Sequence, residues 1–215
     1  MRHLERVHQR FVRDRRAQVL ARHLASLLPQ GARVLDVGCG DGQIAALVKG
    51  WRDDIHIEGI DVLVRDDAAV PVQPFDGLTI AGDDNSFDVV TLVDVLHHTD
   101  DPRVLLTEAR RVASQAVVIK DHLLEGIGAA QTLRWMDRVG NQRHGVHLPF
   151  NYWTRAQWQI AFSELELHVE HWIDRLGIYP WPTRHLLERS LHFMARCRPC
   201  EAVARSSSVL AQTIE

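Results

Sequence analysis

The stretch Arg33-Val34-Leu35-Asp36-Val37-Gly38-Cys39-Gly40-Asp41-Gly42 decides how this chain is read. Five residues of strand composition run into three glycines at alternate positions, and Ile44, Ala45, Leu47 and Val48 follow at helical spacing. Strand, glycine loop and helix in that order open an α/β unit, because glycine admits left-handed backbone and lets a ligand come close at the carboxyl end of a sheet. The pattern continues outward. Residues 55–61 read as a second strand and 69–73 as a looser third; Phe87-Asp88-Val89-Val90-Thr91-Leu92-Val93 is nearly continuous, as a strand buried on both faces should be. Asp100, Asp101 and Pro102 mark the entry to a helix carrying Leu105, Leu106, Ala109 and Val112. Residues 116–120 then form a fifth strand, and the sheet is expected to be parallel. Upstream, the apolar positions from Phe11 to Leu28 predict an amphipathic helix stopped by Pro29 and Gly31. Downstream, a helix over 128–139 precedes a polar, aromatic-rich loop over 140–153, then a helix over 154–162, a strand over 165–173 and a last strand near 191–196.

The glycine spacing differs from a dinucleotide fingerprint, which keeps its last glycine one residue further along and presents a helix terminus to a pyrophosphate. Asp61 ends the second strand about 20 residues after the loop, where a carboxylate can accept both hydroxyls of a ribose. That geometry suits NAD or S-adenosylmethionine (SAM) equally.

The run from Val34 to Gly42 resembles the first motif of the class I SAM-dependent methyltransferases, and the resemblance extends over roughly residues 33–121. It implies a Rossmann-like α/β fold: a mostly parallel seven-stranded sheet flanked by helices, in one domain over 1–215. The leading helix falls at about 11–28, the core at about 32–122, an elaborated cap at about 123–160, and the closing strands at about 165–198. It also implies SAM as cofactor. On this likeness the loop of Gly38, Cys39 and Gly40 wraps the methionine and ribose, Asp36 orders the loop and the amino end, and Asp61 with Val62 holds the ribose side. Phe75-Asp76-Gly77, followed by Asp83-Asp84-Asn85-Ser86-Phe87-Asp88, is similar to the family's stretch in which an acid accepts the adenine amino group, so Asp76 and Gly77 join the cofactor set, as do Asp94 and His97. Where the family often has Leu-Pro, this chain has Ile80-Ala81.

Two imidazoles, His97 and His98, follow the fourth strand, and His122 follows the fifth. At a strand's carboxyl end a histidine can take a proton near neutral pH, so His98 and His122 are the expected bases, facing one pocket, while His97 should point elsewhere. Trp135, Asn141, His144, His147, Tyr152 and Trp153 supply aromatic walls and polar handles for an acceptor, as does Asp137. No compact ligand set such as His-x-x-x-His accompanies them, so no metal is expected. An Asn- or Asp-Pro-Pro-aromatic signature of base amino-methylation is absent after the fourth strand, and only Lys49 and Lys120 are lysines, too few in the pocket for a ribose-methylating Lys-Asp-Lys-Glu arrangement.

Composition adds bounds. With 46% hydrophobic and 25% charged residues, 215 residues make an ordinary enzyme-sized globular chain, and a net charge of −3 gives no general pull towards nucleic acid. The arginines at 2, 6, 10, 13, 15, 16 and 22 read as a solvated face of the first helix. Three cysteines suit reduced thiols, and the absence of a signal core or membrane-length apolar run places the chain in the cytoplasm. The expectation is therefore a methyltransferase acting on an oxygen or nitrogen of a small molecule, without membrane or nucleic-acid partners. The alternatives are methylation of RNA or a protein side chain, or a non-catalytic SAM-binding subunit.

Overall fold

The computed structural model describes residues 2–141, 149–188 and 190–200, with side chains from residue 14 onward except that of Asn141. Helix α1 (Arg2–Leu27) leads into β1 (Arg33–Val37), α2 (Gln43–Trp51), β2 (His56–Asp61), β3 (Val72–Pro74) and β4 (Phe87–Val93). A single 3₁₀ turn (Leu96–His98) precedes α3 (Pro102–Val112) and β5 (Ala113–His122). Then come α4 (Ala129–Asn141), α5 (Arg155–Glu164), β6 (Leu167–Ile173), the one-turn α6 (Arg184–Leu187) and β7 (His192–Pro199).

The seven strands lie in the order β3-β2-β1-β4-β5-β7-β6. All neighbours from β3 to β5 are parallel, and β7 runs antiparallel to both β5 and β6. Alternate side chains of the buried strands feed two layers. On one face Leu35, Val37, Val90, Leu92, Val117 and Ile119 pack with α3, α5 and the Trp153–Trp158 pair. On the other, Val34, Val89, Val118 and Met194 pack with Leu20, Leu24, Ala45 and Val48 of α1 and α2. Among the described residues, the connections over 62–71 and 75–86 hold no helix, so β2, β3 and β4 are joined by loops where an α/β chain ordinarily places crossover helices.

Local chemistry fixes the helix starts that frame the site. Asp101 caps α3 by accepting from the Arg103 amide, with Pro102 in the first turn where no amide partner is needed. Thr154 and Gln157 form a reciprocal capping box at α5. Helix α2 opens from Gly42 in the left-handed region (φ 70°), and its first amide, that of Gln43, donates to Asp41 Oδ1 at 3.1 Å.

The expected architecture is found, with shifted ends. Strand β3 begins three residues later than hydropathy indicated and ends one later, and β5 runs further at both ends, because pairing with β4 and β7 extends it beyond its apolar run. Among the described residues no helix is long and apolar enough to cross a membrane.

Candidate active site

The loop after β1 is tied to β2: the amides of Gly38 and Cys39 donate to the Ile60 carbonyl at 2.8 and 3.3 Å. Its glycines do different jobs. A Cβ on Gly38 would stand 2.5 Å from Val95 Cγ2, and one on Gly42 2.8 Å from Val70 Cγ2, so both are required by close packing as well as by positive φ. At Gly40 (φ 61°) a Cβ would meet nothing within 4 Å, which leaves an open cradle where a ligand can lie on the backbone. Asp61 Oδ2 accepts from the Gly40 amide at 2.7 Å and Oδ1 from the Leu63 amide at 2.8 Å. A carboxylate offers about four acceptor positions, so two remain for hydroxyl donors.

Asp76 Oδ1 accepts from the amides of Leu78 and Thr79, the pair that holds its carboxyl below the usual range. Beside it Val62, 69% exposed, lies 3.4 Å from where a Gly77 Cβ would be. A bare apolar surface next to a carboxylate suits a flat ring carrying an amino group. Asp36 is buried beneath the loop, where burial raises its carboxyl to about 6; a hydrogen bond from Thr91 Oγ1 (2.7 Å) opposes this and Asp61 adds to it. Cys39 Sγ lies over Gly59, where any Cβ would collide with it. Burial, reinforced by Asp36 and Asp61, pushes its thiol up to about 12.

Past β4 the chain turns at Asp94, whose left-handed backbone (φ 57°) is held by its amide donating to the Lys120 carbonyl at 2.8 Å. Its carboxylate pairs with Arg16 of α1 and Lys120 of β5; burial would raise it, but the two cations outweigh burial and hold it well below the usual range. Lys120 is fully buried, with Nζ 3.4 Å from His192 Nδ1. His97 Nδ1 lies 2.7 Å from Asp121 Oδ1 and Nε2 3.5 Å from Asp137 Oδ1 of α4. Burial would lower His97, yet Asp121 and then Asp137 lift it to about 10. The Tyr152 hydroxyl donates to Asp137, and His122 Nε2 stands 3.7 Å from the same carboxylate. The rings of His97 and His98 are 4.0 Å apart, and His97 stacks on His122 at 4.4 Å. His122, 6% exposed, is held well below its ordinary value by burial and then by His97 and Lys120. His98 is the half-buried member, lowered by burial and His97.

A family model for the methyltransferase domain matches residues 6–171. The chain belongs to this methyltransferase family. The chain is 30% identical over 151 residues to a ubiquinone biosynthesis O-methyltransferase of Azorhizobium caulinodans, covering 60% of this chain and 58% of that protein. It is 31% identical over 108 residues to the 27-O-demethylrifamycin SV methyltransferase of Amycolatopsis mediterranei, covering 43% and 39%. The chain spans about half the length of the curated relatives it matches. In fold it matches the geranyl diphosphate C-methyltransferase of Streptomyces coelicolor, solved with Mg²⁺, a substrate analogue and S-adenosyl-L-homocysteine, at a TM-score of 0.63, 13% identity, and 84% and 75% coverage. The family is the class I, SAM-dependent one, and the open Gly40 cradle, Asp61 and the Val62–Asp76 corner fit its cofactor.

Asp36, Gly38, Cys39, Gly40 and Asp61 lie together at the loop after β1, and Val62, next to Asp61, faces Gly77 beside Asp76. Others are placed differently. Asp94 is occupied by Arg16 and Lys120, and His97, expected on the cofactor and pointing away from the acceptor, lies buried between Asp121 and Asp137 beside His98 and His122. Val95, which the sequence reading did not single out, is the residue of this turn that packs on Gly38. Trp153 is no pocket wall: it is buried in the core against Trp158, with the Arg103 guanidinium over its ring. Trp135 lies on the outer face of α4, 56% exposed. Tyr152 does join the cluster. His144 and His147, and the side chain of Asn141, lie outside the described residues. Arg16 is not part of a solvated face, and His192 was missed; neither carries a local sequence signal, since tertiary contacts alone bring them to Asp94 and Lys120. Cys197 is buried in the core and neither it nor Cys200 is in a disulfide.

Proposed function

We propose that the methyltransferase transfers the SAM methyl group in line to an oxygen or nitrogen of a small-molecule acceptor seated at the carboxyl ends of β4 and β5, with His98 taking the acceptor's proton. One observation carries this: the turn that presents His97 and His98 is the same turn whose Val95 packs on Gly38, so the imidazole cluster and the cofactor loop share one short segment. Oxygen is the favoured atom, because relatives of this chain are named for O-methylation. Bound SAM supplies a methyl group on a sulfonium, which departs as a neutral thioether.

The chain's own groups have separable tasks. Gly40 and Asp61 hold the ribose side, Asp76 and Val62 the adenine side, and Asp36 braces the loop from below through Thr91. His98 is neutral at pH 7, since burial and the charged His97 both disfavour its protonation, and so it is able to accept a proton. Alignment of acceptor and methyl supplies a large share of the rate. The test is a transfer assay with methyl-labelled SAM against phenolic and hydroquinone metabolites, with RNA and protein extracts in parallel. Label in a small molecule is expected; label only in RNA or protein, or in nothing, refutes the reading. With the true acceptor, His98→Ala should lower turnover about 100-fold or more at nearly unchanged SAM affinity.

A further inference from the structure

The acceptor-side cluster has features that a proton relay alone does not need. One nitrogen from each of His97 and His98 and one carboxylate oxygen of Asp137 lie within 4.8 Å of one another. The 3.5 Å from His97 Nε2 to Asp137 Oδ1 is longer than an ordinary hydrogen bond and close to the ~3.4 Å that separates two ligand atoms on a tetrahedral ion with bonds near 2.1 Å. His122 Nε2 stands 3.7 Å from the same oxygen. We infer that His97, His98 and Asp137, with His122 beside them, form a binding site for one divalent transition-metal ion of the zinc type.

An outer shell for such an ion is already built. His97 directs its other nitrogen, Nδ1, to Asp121 at 2.7 Å, and that carboxylate is itself anchored by the amides of Leu96 and His122. Tyr152 donates to Asp137. A carboxylate behind a ligating imidazole fixes its tautomer and orientation and raises its basicity. His98 Nδ1 is buried with no hydrogen-bond partner among the described residues, and so is His122 Nδ1, which faces Asp94 at 3.7 Å while Nε2 of the same ring is the atom turned to Asp137. A buried ring nitrogen without a partner can ligate at little further desolvation cost.

A second convergence, Asp94 with His97 and His122, is the poorer site. Both Asp94 oxygens are taken by Arg16 and Lys120, two cations that would repel a third. Imidazole and carboxylate donors suit zinc, cobalt, iron and manganese, and an ion here would lower the pKa of a hydroxyl bound to it, so that with the ion bound His98 acts as a ligand and the ion, in its place, eases loss of the acceptor's proton to water.

The inference stands apart from the acceptor reading, because metal binding is measured without SAM or acceptor. Full-length protein purified without chelator is analysed for metals, stripped by dialysis, and titrated with Co²⁺ while its visible ligand-field bands are followed, with Zn²⁺ as competitor. One equivalent per chain, Co²⁺ bands abolished by Zn²⁺, and a Co²⁺ affinity about 100-fold weaker in His98→Ala and Asp137→Asn at SAM affinity within about twofold are expected. Less than about a tenth of an equivalent of Zn²⁺ bound by the wild-type protein with no Co²⁺ bands, or unchanged Co²⁺ binding in both variants, overturns it. If Asp137→Asn fails to fold, the wild-type titration and the half-buried His98→Ala decide alone.

Discussion

Asp36 shows at a single residue how a binding loop costs stability. Burial lifts its carboxyl to about 6, above the ordinary 3.8, so the folded chain holds this proton more tightly than the unfolded one. The stability this gives is fully present below about pH 4 and is lost as pH rises through about 6, leaving a penalty on the order of 2–3 kcal/mol at neutral pH. Asp36→Asn should therefore raise the melting temperature at pH 8 and raise it less at pH 5, while weakening SAM binding. A stability difference that does not change with pH would show that the carboxyl is not titrating as described. Asp61 has its two carboxylate oxygens held by the Gly40 and Leu63 amides, so under the proposed reading a ribose would meet a preset carboxylate. Asp61→Ala should weaken SAM binding by about 2–4 kcal/mol in calorimetry, by removing a charged acceptor from two hydroxyls and releasing the Gly40 amide.

Elements were legible where their own residues decide them. The β-branched run at 87–93, the acid and proline at 101–102 and the Thr154–Gln157 spacing each carry a strand, a helix start and a cap in local chemistry, and the structure has them there. The glycine loop was readable for the same reason, since glycines at 38, 40 and 42 and an acid closing β2 are conditions on single positions. The cluster around His97 was not. Asp121, Asp137, His192 and Arg16 come from β5, α4, β7 and α1, and only the sheet order and the packing of α1 and α4 bring them to His97, His122 and Asp94. Helix α1 has the most to lose from this arrangement. Arg16→Ala removes one of the two cations on a largely buried Asp94 and should cost about 1–3 kcal/mol in denaturant unfolding, with faster amide exchange across the middle of α1. Retention of wild-type stability and exchange would mean that the pair is a surface contact only.

At the scale of the molecule, loops in place of crossover helices between β2, β3 and β4 leave the ribose and adenine corner resting on 62–64 and 76–79, segments with little core of their own. Cofactor binding should therefore stabilise the whole chain visibly. SAM at 100 times its dissociation constant adds about 2.7 kcal/mol, a rise in melting temperature of roughly 5–10 °C for a chain this size. NAD, which brings a pyrophosphate the loop does not accommodate, should shift it far less, and an equal shift would count against the SAM reading. A protein that keeps an alkylating agent against its own backbone also has to avoid becoming the product. Cys39 is the sulfur placed in that loop, and a thiolate there would compete with any intended acceptor. Burial, reinforced by Asp36 and Asp61, pushes its thiol up to about 12, so in the ligand-free loop it stays protonated at pH 7. Under the proposed reading, burial and the same carboxylates that frame the loop disfavour the thiolate and so self-alkylation, and a change such as Asp36→Asn, which removes one of them, gives up some of that protection.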